Sequence, residues 1–390
     1  MVEEINKRNF SMRTFLIHTD SIGGHQLEYI HHLYMGALLR PEDDFVFVLP
    51  QRFEKDSIRL NWPKSSNVKL IVLQANEEAP HNCNLLKKGW KNSKVLAKYA
   101  KQYKVSDIVT ISLITYLPFL PLFIRNVRVR GIIYRIYLYE WKDETLCMKI
   151  QDAMKYLIMS RFKVFFRVYM CNDSASAQCL NRIFKTDKYR FMPDPVASLQ
   201  NYKGKDIREE LGISSSKIVL LHPGGMDSYK NTLGILRSLL LLDKTCSDKF
   251  SVILAGRVVP GIRKEFDELY KKVSQKIQII FLEGYLPFEK LADLFVTCDY
   301  VLVPYTVKSQ SSGIVGHAAY YGKPVVAVQG GVIGKMVRRW HLGKLLYKSS
   351  KESIYQFLSG VIDKPSFSTA GNSYLESHSV EMFCHVLMSE

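Results

Sequence analysis

The stretch DYVLVPYTVKSQSSGIVGHAAYYGKPVVA, residues 299–327, is the part of the sequence that decides the fold. An apolar strand is predicted over Tyr300–Val303, a polar loop follows, and Ser311-Ser312-Gly313 opens a segment of small and apolar residues. That segment ends at Gly322-Lys323-Pro324, after which another apolar strand begins. A helix start presents free N–H groups and the positive end of the helix dipole, so this loop predicts a site for a phosphate-bearing ligand. An ordinary serine N-cap is the alternative.

The same alternation of strands and helices runs along the whole chain. The segment Pro193-Asp194-Pro195-Val196 and a predicted linker, Ala197–Gly204, separate two such series. The pattern predicts an α/β protein of two doubly wound, Rossmann-like domains facing a cleft, with ligands at the carboxyl ends of parallel strands. We expect an N-terminal domain over residues 1–197 and a C-terminal domain over residues 205–370. A C-terminal helix in residues 371–390 is expected to cross back to the N-terminal domain.

The charge of the chain favours anionic partners. The formal net charge is +17, and the basic excess is concentrated between residues 80 and 170, where helices are predicted over Lys94–Tyr103 and Met148–Ser160. Aromatic residues such as Trp90 and Trp141 are interleaved with these cations, which suits an anionic membrane surface, with ordinary core aromatics as the alternative. No nucleic-acid-binding signature and no zinc-ligand spacing occurs, so neither nucleic acid nor a metal is predicted.

The seven cysteines are scattered and form no CxxC pair, which is typical of reduced thiols in a cytosolic protein. The sequence shows neither the apolar core of a signal peptide nor a run long enough to span a membrane. We therefore expect a cytoplasmic protein that associates peripherally with the inner face of a membrane.

Four loops fall at predicted strand ends, where ligands of such folds bind. Gly23-Gly24 follows the first strand, and glycines there let backbone approach a phosphate, although a simple tight turn is the alternative. Lys230 precedes a helix and Arg257 ends a strand, so each offers a cation to a diphosphate. Gly284-Tyr285 ends another strand, where backbone meets a flat ring unless Tyr285 is a core aromatic. The GGHQLE segment lacks GxGxxG spacing, which argues against a dinucleotide oxidoreductase.

The order of these loops resembles the GT-B glycosyltransferases, most closely family four, a group of retaining enzymes that use nucleotide-sugar donors. The resemblance is strongest over residues 220–328. It implies a nucleoside diphosphate sugar as co-substrate, held mainly by the C-terminal domain, and no obligatory bound cofactor or metal. It also implies that the acceptor is bound mainly by the N-terminal domain. The basic, aromatic-rich stretch Lys87–Arg167 of that domain favours an acceptor at a membrane, so we expect a glycan or a lipid-linked glycan in cell-surface polysaccharide synthesis.

The resemblance also assigns roles to individual positions. Lys230 matches the lysine that contacts the donor diphosphate, and Arg257 is a substitute for the family's arginine, whose place is taken by Met226. His25 and Glu140 are candidates for orienting the acceptor. The residues expected to bind the donor are Gly23, Gly24, Gly225, Asn231, Gly284, Tyr285, Ser311, Ser312, Gly313, Ile314, Val315 and His317.

Three departures from the family pattern leave other functions open. Two glutamates of the family are replaced by Ser309 and His317, the arginine position holds Met226, and the histidine of the N-terminal domain is not evident. We expect His317 to face the donor, because a ring nitrogen can still hydrogen-bond a hydroxyl. The alternatives are a catalytically silent GT-B binding or scaffold protein and a nucleotide-sugar epimerase of the same fold.

Overall fold

The computed structural model describes residues 12–22, 26–80, 82–196, 202–362 and 371–389. The predicted site residues Gly23, Gly24 and His25 lie outside the described residues, as do residues 197–201 of the predicted linker. The chain divides into two compact units. The first unit comprises Met1–Pro193 and Val380–Glu390, and the second comprises Asp194–Ser379.

The first unit is built on a seven-stranded sheet in the order β3-β2-β1-β4-β5-β6-β7, with every neighbouring pair parallel. Short apolar runs form these strands because helices cover a parallel sheet on both faces, and β1 is accordingly buried from Phe15 to His18. The strands are β1 Thr14–His18, β2 Asp44–Leu49, β3 Val68–Val72, β4 Asp107–Thr110, β5 Arg128–Ile133, β6 Phe165–Cys171 and β7 Tyr189–Met192. The helices are α1 Gln26–Leu38, α2 Phe53–Asp56, α3 Leu85–Gln102, α4 Leu120–Phe123, α5 Leu146–Arg161 and α6 Ser174–Phe184.

Helix α3 starts earlier than the predicted Lys94–Tyr103. Asn84 caps it by accepting the N–H of Lys87 at 2.9 Å. Position 89, inside this helix, requires a glycine, because a Cβ there would lie 2.4 Å from the Leu117 carbonyl oxygen. The glycine that interrupts the helical pattern in the sequence therefore permits close packing and does not end the helix.

The second unit carries a six-stranded parallel sheet in the order β10-β9-β8-β11-β12-β13. The order reverses between β8 and β11, and ligands of doubly wound sheets bind beyond the carboxyl ends of the strands at such a reversal. The strands are β8 Ile218–Pro223, β9 Phe250–Gly256, β10 Gln278–Glu283, β11 Tyr300–Val303, β12 Val325–Val328 and β13 Gly343–Leu346. The helices are α7 Thr232–Leu239, α8 Lys244–Ser247, α9 Arg263–Ser274, α10 Phe288–Thr297, α11 Gly313–Tyr320, α12 Gly331–Arg339, α13 Lys351–Val361 and α14 Gly371–Ser377.

The last helix, α15 (Val380–Met388), belongs to the first unit. The Phe383 ring lies 5.0 Å from the ring of Tyr29 on α1, and the Tyr169 hydroxyl donates a 2.6 Å hydrogen bond to the Val386 carbonyl. Residues 371–389 therefore form two helices, α14 and α15, one in each unit.

Candidate nucleotide-sugar site

The loop after β8 is fixed by Asn231. This residue has a left-handed backbone conformation, with φ of 63°, just before α7. Its side-chain amide donates hydrogen bonds to the carbonyl of Pro304, at 3.1 Å, and to the carbonyl of Ser349, at 2.7 Å. Both amide hydrogens are thus engaged with backbone, and Asn231 holds together the loops that follow β8, β11 and β13.

The loops containing Lys230 and Ser311 meet through Tyr229. The Tyr229 carbonyl accepts the N–H of Thr306 at 2.8 Å and the hydroxyl of Thr306 at 3.1 Å. The rings of Tyr229 and Tyr305 pack edge to face, with centroids 5.8 Å apart. The two loops that sequence reasoning singled out separately are therefore neighbours.

Lys230 is a half-buried cation whose ammonium makes no ion pair with any carboxylate that the structure describes. Its Nζ lies 5.6 Å from the Tyr305 ring centroid and 6.0 Å from that of Tyr229. Among the described residues, no carboxylate lies within 4.0 Å of this ammonium. Burial lowers the pKa of Lys230, and the charge of Asp227 opposes that shift. A buried charge needs a counter-ion, and an anionic ligand would supply one.

Two glycines shape the floor beside this lysine. Gly224 has φ of 95°, and a Cβ there would lie 2.6 Å from Lys230 Nζ. Gly256, with φ of 150°, would bring a Cβ to 2.0 Å from the Gly224 carbonyl oxygen. The ends of β8 and β9 therefore approach as only glycine permits, and the ammonium lies directly over bare backbone.

The arginine expected beside the lysine lies on the neighbouring loop. Met226, at the family's arginine position, is fully buried, and its N–H donates to the Arg257 carbonyl at 2.8 Å. This pairing places Arg257 next to the Lys230 loop with an exposed side chain. In the part of the chain that the structure describes, Arg257 makes no ion pair.

The start of α11 retains free donors. Ser312 occupies the N-cap position, but its side chain makes no capping hydrogen bond. The N–H of Val315 donates to the Ser312 carbonyl at 3.1 Å, whereas those of Gly313 and Ile314 have no acceptor among the described residues. The Ser311 hydroxyl donates to Asp194 at 3.3 Å. Ser312 is therefore the N-cap residue without a side-chain cap, and the interpretation of this helix start as an anion site stays a prediction.

The two positions where the family has glutamates are both shielded from solvent, one fully and one partly. Ser309 is fully buried. His317 is partly buried on α11, with its ring 5.8 Å from the ring of Phe295, which in turn stacks on Tyr321 at 5.6 Å. The expectation that His317 contacts the donor stays a prediction.

The third loop of the second unit is exposed. Gly284 has φ of 116°, and its N–H donates to the Gly256 carbonyl at 3.3 Å, so the turn lies beside the glycine floor. Tyr285 is largely exposed, which excludes the alternative that it is a core aromatic. Gly225 is also exposed, and a Cβ at this position would lie in open space.

In the first unit, the structure reveals a histidine that sequence reasoning missed. His18 ends β1 fully buried, and its Nδ1 shares a hydrogen bond with the hydroxyl of Tyr116. Burial lowers the pKa of His18 to about 4, although Asp20 raises it, so the ring is neutral near pH 7. The sequence signal that could have indicated this residue is a histidine at the end of an otherwise apolar strand. Glu140, the predicted acceptor-orienting residue, is ion-paired with Arg135.

Neither a metal cluster nor a membrane span occurs in the described parts of the chain. They contain no group of three His, Cys, Asp or Glu side chains placed to hold a metal ion. Across these same residues, every helix is too short or too polar to cross a bilayer.

Comparison with known proteins gives matches of structure but not of sequence. No family model and no curated protein matches the chain. WaaG, a glycosyltransferase involved in lipopolysaccharide biosynthesis, superimposes with a TM-score of 0.67 and 13% identity, covering 97% of this chain and 100% of WaaG. Anabaena HepE in complex with UDP superimposes with a TM-score of 0.65 and 14% identity, covering 97% of this chain and 95% of HepE. A putative UDP-N-acetylglucosamine 2-epimerase from Listeria monocytogenes superimposes with a TM-score of 0.60 and 11% identity. The match covers 96% of this chain and 93% of the Listeria protein.

At these identities the likeness extends to the fold alone. The two Rossmann-like units, of seven and six parallel strands, match GT-B glycosyltransferase structures, which confirms the predicted fold class.

Proposed function

We propose that this protein is a glycosyltransferase that takes a sugar from a nucleoside diphosphate sugar. The observation that carries the proposal is the half-buried Lys230 ammonium, which lies over Gly224 without an acidic partner among the described residues. The loop that carries the free N–H groups of Gly313 and Ile314 is tied to the same segment. A diphosphate supplies the anion that both features lack.

In the proposed reaction the protein stabilises the leaving diphosphate. Lys230, Arg257 and the N–H groups at the start of α11 bind the charge that grows on the departing oxygen, which is often the largest contribution to catalysis. The sugar passes through an oxocarbenium-like state. With retention, as in family four, the acceptor hydroxyl attacks from the same face and the leaving phosphate takes its proton. No protein nucleophile and no metal is required.

We propose that the second unit binds the donor and the first unit binds the acceptor. Gly284 and Tyr285 hold the base, and UDP is the first nucleotide to test because HepE has been solved with it. The resemblance assigns Gly23 and Gly24 to the donor phosphate, and it makes His25 and Glu140 the candidates for orienting the acceptor. A glycan or lipid-linked glycan destined for the cell surface is the proposed acceptor.

A lipid-linked acceptor requires contact with a membrane, and α3 suits an electrostatic contact on the cytoplasmic side. The helix contains lysines but no acidic residue. Leu85, Leu86 and Trp90 are exposed near its start, and Lys94 Nζ lies 5.3 Å from the Trp90 ring centroid. Cations around an exposed aromatic ring favour a surface of anionic lipid.

The proposal is tested by nucleotide binding and then by turnover. Thermal unfolding with UDP, GDP, ADP and TDP sugars identifies the donor, because a ligand that binds only the folded state raises the transition temperature. Sugar transfer to a glycan acceptor and the anomeric configuration of the product then test the reaction and its retention. A protein that none of these nucleotides stabilises would refute the diphosphate site.

One alternative has a specific observation behind it. The Listeria structure is described as a putative UDP-N-acetylglucosamine 2-epimerase. An epimerase would convert the nucleotide sugar without any acceptor, so incubation with the donor alone separates the two activities. Nucleotide binding with neither activity would support the silent binding protein, which Ser309 and His317 motivated.

A further inference from the structure

Helix α5 presents an apolar face to solvent. Leu146, Ile150 and Met154 are spaced by four residues, so they lie on one face of the helix. Their exposed fractions are 73%, 56% and 47%. The opposite face supplies Tyr156 and Met159 to the core, both fully buried. The helix is therefore apolar on both sides, although only one side packs against the sheet.

Helix α9 shows the usual arrangement within the same chain. It buries Phe266 and Val273 and otherwise consists largely of charged residues, as a surface helix normally does. Helix α5 lacks this polar outer face. An exposed apolar patch of this kind marks a contact with another molecule or with a membrane.

The charges around the apolar face of α5 indicate what covers it. The one acidic residue of the helix, Asp152, is buried and ion-paired with Lys155 at 2.6 Å. The remaining charged residues of the helix are Lys149 and Arg161. Exposed Trp141 precedes the helix and exposed Phe162 follows it. Lys142, Asp143 and Glu144 lie between Trp141 and the helix, and Lys163 follows Phe162. An apolar stripe flanked by cations and amphipathic rings has the composition of a helix that lies in the interface of an anionic bilayer.

We infer that α5 docks on an anionic lipid bilayer and inserts Leu146, Ile150 and Met154 at the interface. The inference rests on the membrane-linked acceptor proposed above, and it adds a hydrophobic contact to the electrostatic one of α3. Salt screens the lysines of α3 but leaves apolar burial intact. A second copy of the chain is the other occupant, and the measurement of oligomeric state below distinguishes it from a bilayer.

The test compares full-length proteins on vesicles of phosphatidylcholine with phosphatidylglycerol, at low and at high salt. The variant carries Leu146→Gln, Ile150→Gln and Met154→Gln. The control carries three substitutions of the same kind at exposed apolar positions elsewhere, Leu39→Gln, Ile58→Gln and Leu241→Gln. We expect wild type and control to keep part of their binding at high salt. The α5 variant should lose that salt-resistant part by about tenfold or more, since each apolar side chain adds to partitioning.

Three further measurements make the result decisive. Circular dichroism and UDP affinity should match wild type, because the substituted side chains are exposed and lie outside the nucleotide site. Unchanged salt-resistant binding in the variant overturns the inference. A change from dimer to monomer in light scattering also overturns it and assigns the face to a second copy. Absence of nucleotide binding in the wild-type protein would refute the proposed transferase but leave the vesicle result standing.

Discussion

Replacing Lys230 by Met tests the diphosphate site most directly. The substitution keeps an unbranched side chain, one atom shorter than that of lysine, and removes the charge. This cation is half-buried, burial lowers its pKa, and its ammonium makes no ion pair with a carboxylate of the described residues. We therefore expect the variant to unfold at a higher temperature than the wild type while it loses donor turnover.

The expected loss of activity follows from the role in the transition state. Removing one charged or hydrogen-bonding donor from a developing oxyanion typically costs about 2–4 kcal/mol. The corresponding fall in kcat/KM is about 30-fold to 1,000-fold. Calorimetry with UDP should show weaker binding, since the ground-state diphosphate is also anionic.

The pH dependence of stability gives an independent check. The pKa of Lys230 is lower in the folded protein than in the unfolded chain, so folding carries a penalty whenever the lysine must be protonated. This penalty in the free energy of folding has its full size below the pKa of Lys230 in the folded protein. It disappears as the pH rises to the ordinary pKa of a lysine. The stability advantage of Lys230→Met should therefore be largest near neutral pH and shrink at alkaline pH. The affinity of the wild type for UDP should fall over the same increase in pH, because the lysine loses its charge.

A matched variant separates these effects from the loss of any lysine beside an aromatic ring. Lys348 is exposed, with Nζ 5.5 Å from the Tyr347 ring centroid, and Lys348→Met should leave activity, UDP affinity and stability near wild type. Near wild-type turnover in a folded Lys230→Met protein would refute the reasoning. If Lys230→Met unfolds at a lower temperature than the wild type, only the claim that the buried charge of Lys230 destabilises the fold is refuted.

Other substitutions probe the rest of the site and the membrane contact. Gly256→Ala would place a Cβ 2.0 Å from a backbone carbonyl oxygen, so we expect denaturant titration to show a loss of about 1–3 kcal/mol in the free energy of unfolding. Gly313→Val should weaken UDP binding in calorimetry without lowering the unfolding temperature, because the branched side chain blocks the approach of a phosphate to the helix start; equal affinity would move the anion site elsewhere. Arg257→Ala should reduce kcat/KM less than Lys230→Met, because the arginine is exposed. Low-salt binding to anionic vesicles should fall when Glu replaces three lysines of α3. Lys88 must be kept, because it is ion-paired with Asp20 at 2.6 Å. The three positions to change are Lys87, Lys91 and Lys94.

The sequence by itself determined the fold and the positions of the loops around the site. Strand Tyr300–Val303 has the bounds predicted for it, and α11 starts at Gly313, directly after the predicted serines. Such elements are legible because hydrophobic periodicity and turn residues act over a few neighbouring positions. Parallel strands then bring their carboxyl ends to one edge of the sheet, so Lys230 and Arg257 fall on neighbouring loops.

Only the tertiary structure decided which polar groups are already engaged. Lys88 and Lys230 look equivalent in the sequence, yet Lys88 is paired with Asp20, while Lys230 has no acidic partner among the described residues. The amide of Asn231 is occupied by carbonyls far along the chain, at Pro304 and Ser349. Contacts between residues so distant in the chain leave no local pattern to read.

Helix α5 shows the same limit for packing. A helix was predicted over Met148–Ser160, and it spans Leu146–Arg161 in the structure. The 3.6-residue period gives the angle between two side chains but not the direction in which either of them points. Where both faces of a helix are apolar, the pattern cannot choose between them, and the sheet selects the side that it buries.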